Sequence, residues 1–267
     1  MKNEKFQQYI DNFIKVLSNE ENVDLSIFND NLQSLEIIIK DNDQNYFAGY
    51  DRHNNIIRIK NEESVSSIYH ELLHAASTRI EDGFIYSGLS QEILETKLLL
   101  GLGLTEGITE FLNEQYFETA NKKSYFLEKF YVKRLLELVS EEAIKNSYFK
   151  ADNEALLDEL IQYTTFDEIK LFLYNLDTYT ISMQNPENAN IEEIQDAITE
   201  CTDFLINVYY NKLSILNIEN IENMMKDYIN EFNMYIIEPT LNNQQFTLLS
   251  SKKTIKFQIN KKRIFIT

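Results

Sequence analysis

Glycine lets a backbone turn tightly or approach a neighbour closely, and this chain restricts it to one region. All six glycines (Gly49, Gly83, Gly88, Gly101, Gly103 and Gly107) fall between residues 49 and 107 of a 267-residue chain. The bends are therefore concentrated there, and the remainder must be built from long regular elements. The apolar pattern agrees. Residues 4–18 carry Phe6, Tyr9, Ile10, Phe13, Val16 and Leu17 on one helical face, and 35–40 read as a strand. Helical spacing recurs over 124–146, 152–162, 165–177, 190–213 and 217–232, with Asn185-Pro186-Glu187-Asn188 as the clearest break. From Tyr235 the pattern switches to period two, at 254–259 and 264–266, with Asn260-Lys261-Lys262 as a turn. The expected fold is α+β: a core with a small N-terminal sheet over 1–150, a helical subdomain over 151–234, and C-terminal β-strands over 235–267.

Inside the glycine-bearing region, 46–50 and 55–60 read as a hairpin turning at Asp51-Arg52-His53-Asn54. Ile57 and Ile59 alternate with Ile56, Arg58 and Lys60, as in a half-buried or edge strand. Residues 79–90 read as a loop with a short extended piece, and 91–100 as a helix. Gly101-Leu102-Gly103 breaks the chain before a further helix over 104–119 that runs through Gly107.

His70-Glu71-Leu72-Leu73-His74 lies in the same region. Over 64–77, Val65, Ile68, Tyr69, Leu72, Leu73 and Ala76 recur at three- and four-residue steps, which indicates an amphipathic helix. Positions four apart sit one turn above each other. His70 and His74 can therefore aim two imidazoles at one point, as a tetrahedral zinc ion requires. Glu71, one step round, is placed to take a proton from water at the metal's open position. His53, one of three histidines in the chain, belongs to the hairpin turn and reads as solvent-exposed.

A catalytic zinc has three protein ligands and a water, so two histidines leave the set incomplete. With only His53 left over, the expected third ligand is a carboxylate on a second helix. Glu106 and Glu110 lie four apart on one face. One could bind zinc while the other accepts the free ring N–H of a ligating histidine. Gly107 between them costs about 1 kcal/mol relative to alanine in a helix, which suggests a close approach to the His70 helix.

The pair of segments, His70-Glu71-x-x-His74 and Leu104-Thr105-Glu106-Gly107-Ile108-Thr109-Glu110, resembles the gluzincin metallopeptidases. The fuller pattern is similar to Firmicutes-type proteins carrying H-E-L-L-H and L-N-E-G-x-T-E. The resemblance covers about residues 46–120. It implies a Zn2+ cofactor, Glu106 as third ligand, Glu110 as the partner of a ligand histidine, and Glu71 as the base. Thr105 departs from the usual Asn, and the 31 residues between His74 and Glu106 exceed the thermolysin-like spacing. With no downstream histidine, oxyanion stabilisation falls to a tyrosine, an arginine or zinc itself. Tyr86, Tyr116, Tyr125 and Tyr131 are the tyrosine candidates.

The expected function is zinc-dependent peptide-bond hydrolysis, with an extended peptide or protein substrate adding to the strand at 55–60. Two other readings fit the same residues. One is a regulatory metallopeptidase dedicated to a single protein partner. The other is a non-enzymatic module in which zinc is structural and the helices form a binding platform. The net charge of −18 argues against a general nucleic-acid binder. After Glu238 the charge reverses: Lys252, Lys253, Lys256, Lys261, Lys262 and Arg263 meet no acidic residue. That reversal suggests a lysine-protected edge strand, or a tail docking on an acidic surface. Cys201 is alone, so no internal disulfide forms, and it reads as a small helix-core residue. The N-terminus lacks the apolar core of a signal peptide, and no run is long enough to span a membrane. Cytoplasmic residence and no membrane partner are expected.

Overall fold

The computed structural model describes residues 6–39, 48–61, 67–117, 125–241, 257–260 and 263–266, and the chain is α+β. Of the expected elements, residues 4–5, Lys40, 46–47, 64–66, 118–119, 124 and 254–256 lie outside the described residues. The chain divides into two compact units, Met1–Val132 with Ser140–Leu156, and Lys133–Val139 with Leu157–Thr267.

In the first unit, helix α1 (Gln7–Leu17) buries Ile10, Phe13 and Leu17, as its helical spacing requires. Helix α2 (Ser26–Leu32) sets Phe28 against Phe13, ring centroids 4.8 Å apart. Strands β1 (Glu36–Ile39), β2 (Ala48–Asp51) and β3 (Ile56–Ile59) form a sheet in the order β1-β3-β2. β2 and β3 make the expected antiparallel hairpin, while β1 joins β3 in parallel. The strand at 55–60 is therefore the middle strand, not an edge. Its two sides are both paired and Ile57 and Ile59 are fully buried, so no peptide can add there. The edges are β1 and β2. Hairpin periodicity could not show this, because the parallel partner comes from a separate segment.

Helix α3 (Ile68–Ala76) leads into β4 (Thr78–Glu81), β5 (Phe84–Ser87), β6 (Ser90–Ile93) and β7 (Leu99–Leu100), an antiparallel meander. The loop expected at 79–90 and the helix expected at 91–100 are corrected by this sheet. Gly88 supplies the left-handed turn between β5 and β6 (φ +55°), where a Cβ would lie 2.9 Å from both Thr105 and Tyr148. The N–H of Leu94 then donates to the Gly83 carbonyl (3.0 Å). Leu94, Leu98, Leu99 and Leu100 mimic a helical face in sequence, but Leu94 and Leu98 lie in the β6–β7 connection and Leu99 and Leu100 pair with β6.

Helix α4 (Leu102–Phe117) follows, with α5 (Phe126–Leu135) beside it. A Cβ on Gly107 would sit 2.6 Å from the carbonyl oxygen of Glu128. The close approach that Gly107 permits is thus to α5, not to α3. The helix expected at 124–146 is two helices. Ser140 is extended (ψ 149°) and its hydroxyl accepts the Ala143 N–H (3.1 Å), which starts α6 (Glu141–Lys150) afresh. Helix α7 (Glu154–Leu160) begins in this unit and ends in the second, the division falling after Leu156.

The second unit holds α8 (Phe166–Gln184), opened by a Thr165/Glu168 capping box, then α9 (Ile191–Ile215) after the Asn185-Pro186 break, and α10 (Ile221–Leu241). α10 keeps residues 235–241 helical, Pro239 included, where period two was expected. Cys201 is buried in α9, its thiol donating to the Phe172 carbonyl (3.7 Å). Strands β8 (Phe257–Asn260) and β9 (Arg263–Ile266) pair antiparallel. Lys252, Lys253, Lys256 and the turn residues Lys261 and Lys262 lie outside the described residues. No described helix is long and apolar enough to cross a membrane.

Candidate metal centre

The amphipathic reading of α3 accounts for half of its surroundings. Leu72, Leu73 and Ala76 enter the core as expected, yet the polar face is buried too: His70, Glu71 and His74 are 8%, 6% and 8% exposed. Burying such groups is costly unless they are paired. The partners come from α4, whose Glu106 and Glu110 are themselves 8% and 2% exposed. The end of α3 is fixed by Asn31, whose side-chain amide donates to the carbonyls of Ala75 (2.8 Å) and Thr78 (2.6 Å). The Thr78 hydroxyl adds a bond to the His74 carbonyl (2.8 Å).

Three side-chain atoms converge in the space between α3 and α4. The Nε2 atoms of His70 and His74 are 3.2 Å apart. Oε2 of Glu106 lies 3.2 Å from the first and 3.3 Å from the second. This is a nearly equilateral triangle of metal-ligating atoms. Ligands at the 2.0–2.1 Å of tetrahedral zinc stand about 3.3 Å from each other, so the donor set and its spacing fit that ion. Glu110 stands on the far side of one imidazole. Its Oε2 accepts the Nδ1–H of His70 (3.0 Å), which turns Nε2 towards the triangle. The sequence alone left two roles to be shared between the two glutamates. In the fold Glu106 faces both Nε2 atoms and Glu110 faces Nδ1.

The electrostatics follow from the packing. Burial by itself pulls the His70 imidazolium down, but hydrogen bonds to Glu106 and Glu110 override it and push the pKa up to about 10. Burial would raise Glu106, yet His74 and His70 hold its carboxyl well below the usual carboxylate range. Without a metal, these interactions favour the protonated form of His70 between the two carboxylates. Glu71 is raised, chiefly by burial, against the opposing pull of His70 and His74.

Glu71 also accepts the backbone N–H of Tyr50 on β2. In an antiparallel ladder, alternate residues direct their N–H and C=O groups away from the partner strand. Tyr50 is one of these, and so is Ala48 two residues earlier, so the outer edge of β2, unpaired among the described strands, runs beside Glu71. Side-chain patterns carry no signal for this contact, which is made by the main chain. Tyr148 is a second residue the sequence did not single out. It is fully buried, its hydroxyl shares a hydrogen bond with Thr109 (2.7 Å), and burial with the charges of Glu106 and Glu71 pushes its pKa up.

The other candidates fall in different places. Tyr125 lies against the cluster, its ring 5.5 Å from that of His70 and within 9° of parallel. Tyr86 lies under the Arg79 guanidinium (4.5 Å), the Tyr116 ring is 5.3 Å from the Lys145 ammonium, and Tyr131 is buried in the core. Thr105, where Asn is usual, ties α4 to the β5–β6 turn by accepting the Leu89 N–H (3.1 Å) and donating to the Gly101 carbonyl (2.9 Å). His53 is exposed in the β2–β3 turn and meets Glu92 (3.3 Å), which also pairs with Arg52 (2.9 Å). No protein-family model, curated protein or solved structure matches the chain.

Proposed function

We propose that this chain is a zinc-dependent metallopeptidase of the gluzincin type, with His70, His74 and Glu106 as metal ligands. The observation that carries the reading is the triangle of two Nε2 atoms and one carboxylate oxygen with edges of 3.2–3.3 Å. A zinc ion held there would supply a Lewis acid for a scissile carbonyl and acidify water. Glu110 holds His70 in the tautomer that leaves Nε2 free as a ligand. Glu71 takes the proton from the attacking water and delivers it to the leaving amine. Its burial raises its basicity, and the Tyr50 N–H fixes its carboxylate. The substrate we favour is an extended peptide segment. The Tyr50 carbonyl and the Ala48 backbone groups lie on the β2 edge, which pairs with no other strand among the described residues, and could pair with it close to Glu71.

The experiment pairs metal analysis with Glu71→Gln. Protein saturated with zinc and dialysed should keep about one zinc per chain, and Glu71→Gln should keep it too. Cleavage of a peptide library should fall by about 10²–10⁴ in the variant, the usual worth of a positioned general base. Unchanged cleavage by zinc-loaded Glu71→Gln overturns the mechanism, and no retained zinc in the wild type overturns the site.

A further inference from the structure

Tyr125 sits immediately before α5 and its carbonyl accepts the first bond of that helix, from the Lys129 N–H (2.9 Å). Its backbone is left-handed, with φ +47°. A bulky aromatic residue is rare in that region, and the surroundings must over-determine it for it to persist there. Two contacts do so. Gly107 lets α4 and α5 pack backbone against backbone at Glu128. The half-buried Tyr125 ring is stacked, offset and nearly parallel, beside the His70 imidazole, centroids 5.5 Å apart and planes within 9°.

We propose that Tyr125 is a positioning residue of the metal centre, acting through His70; this rests on the zinc reading above. The bond from Nδ1 to Glu110 fixes the position of one ring atom but leaves the imidazole free to swing about that bond. Such a swing would carry Nε2 out of the triangle. A parallel aromatic ring stacked against the imidazole opposes it. In-plane direction is therefore set by Glu110 and tilt by Tyr125, so that Nε2 stays aimed at the point shared with His74 and Glu106. The part of Tyr125 that matters is its flat face. A role as oxyanion stabiliser would need the hydroxyl instead.

The test uses the full chain with Tyr125→Phe and Tyr125→Leu, and reads zinc affinity by chelator competition and the visible spectrum of the cobalt-substituted site. Tyr125→Phe keeps the stack and should match the wild type in both. Tyr125→Leu should weaken zinc binding about 2- to 12-fold, the worth of an aromatic pair converted at tenfold per 1.4 kcal/mol. It should also alter the cobalt spectrum, which a change in overall stability alone would leave unmoved. Tyr125→Met, which fills volume without a flat face, is the second non-aromatic variant should Leu not fold. Wild-type affinity and spectrum in the non-aromatic variants overturn the proposal, as does an equal loss in Phe and Leu. A wild type that binds no zinc overturns the metal reading first and this one with it.

Discussion

In the proposed zinc site, the metal and a proton would compete for Nε2 of His70, and the fold sets the terms of that competition. With its pKa pushed up to about 10 by Glu106 and Glu110, His70 is mostly protonated at pH 7. Zinc binds the neutral imidazole and must displace that proton. Each pH unit should therefore tighten zinc binding about tenfold, or about 100-fold from pH 7 to pH 9. A histidine at its ordinary pKa of 6.5 is already largely neutral at pH 7 and would gain about 1.3-fold over the same range. Competition against a chromophoric chelator at pH 7, 8 and 9 measures the slope. Calorimetry in two buffers of different ionisation enthalpy should count at least one proton released per zinc at pH 8, the one displaced from His70, with any from a zinc-bound water in addition. The same shift has a consequence for the metal-free chain. A folded-state pKa above the unfolded 6.5 contributes stability that is full below pH 6.5 and is lost as pH rises towards 10. Thermal stability should fall across that window without zinc. A flat zinc affinity above pH 7, or no proton release, refutes the coupling of His70 to the two glutamates.

Glu110→Ala should weaken zinc binding about 10- to 100-fold without unfolding the chain, whereas Glu114→Ala, which removes the pairing of Glu114 with the buried Lys129 (3.2 Å), should bind zinc as the wild type does; equal effects would deny Glu110 its place. Gly107→Ala should destabilise the chain by about 1–3 kcal/mol through overpacking against the Glu128 carbonyl, in place of the gain of about 1 kcal/mol expected at an open helical site; a raised melting temperature would contradict the close α4–α5 approach. Asp203 has its pKa raised to about 6 by burial and by Glu200, so its charged form opposes folding as pH rises from 3.8 through 6. Asp203→Asn should therefore raise the melting temperature at pH 7 and leave it unchanged near pH 4, and the opposite pH order would show that the carboxylate has a partner.

Two kinds of information in the chain were local, and both could be read without a structure. The four-residue spacings of His70 with His74 and of Glu106 with Glu110 put each pair on one face of a helix, because helical geometry is fixed by the backbone alone. Apolar periodicity likewise marked α1, α8, α9 and the β2–β3 hairpin, since each element must bury one face whatever lies opposite. What lies opposite was decided only by tertiary structure. The leucines at 94 and 98–100 fit a helix as well as a turn and strand, and pairing with β5 and β6 settled the choice. Gly107 announced a close approach but not to which helix, and the Glu128 carbonyl supplied the answer. The middle position of β3 depends on β1, whose pairing lies about twenty residues away in the chain. The division of labour between Glu106 and Glu110, the stacking of Tyr125 on His70 and the bond from the Tyr50 N–H to Glu71 all depend on how α3 meets α4, α5 and β2. Sequence spacing can place residues on a common face, but the distance and angle between two faces come from packing, and the chemistry of this site lies in those distances.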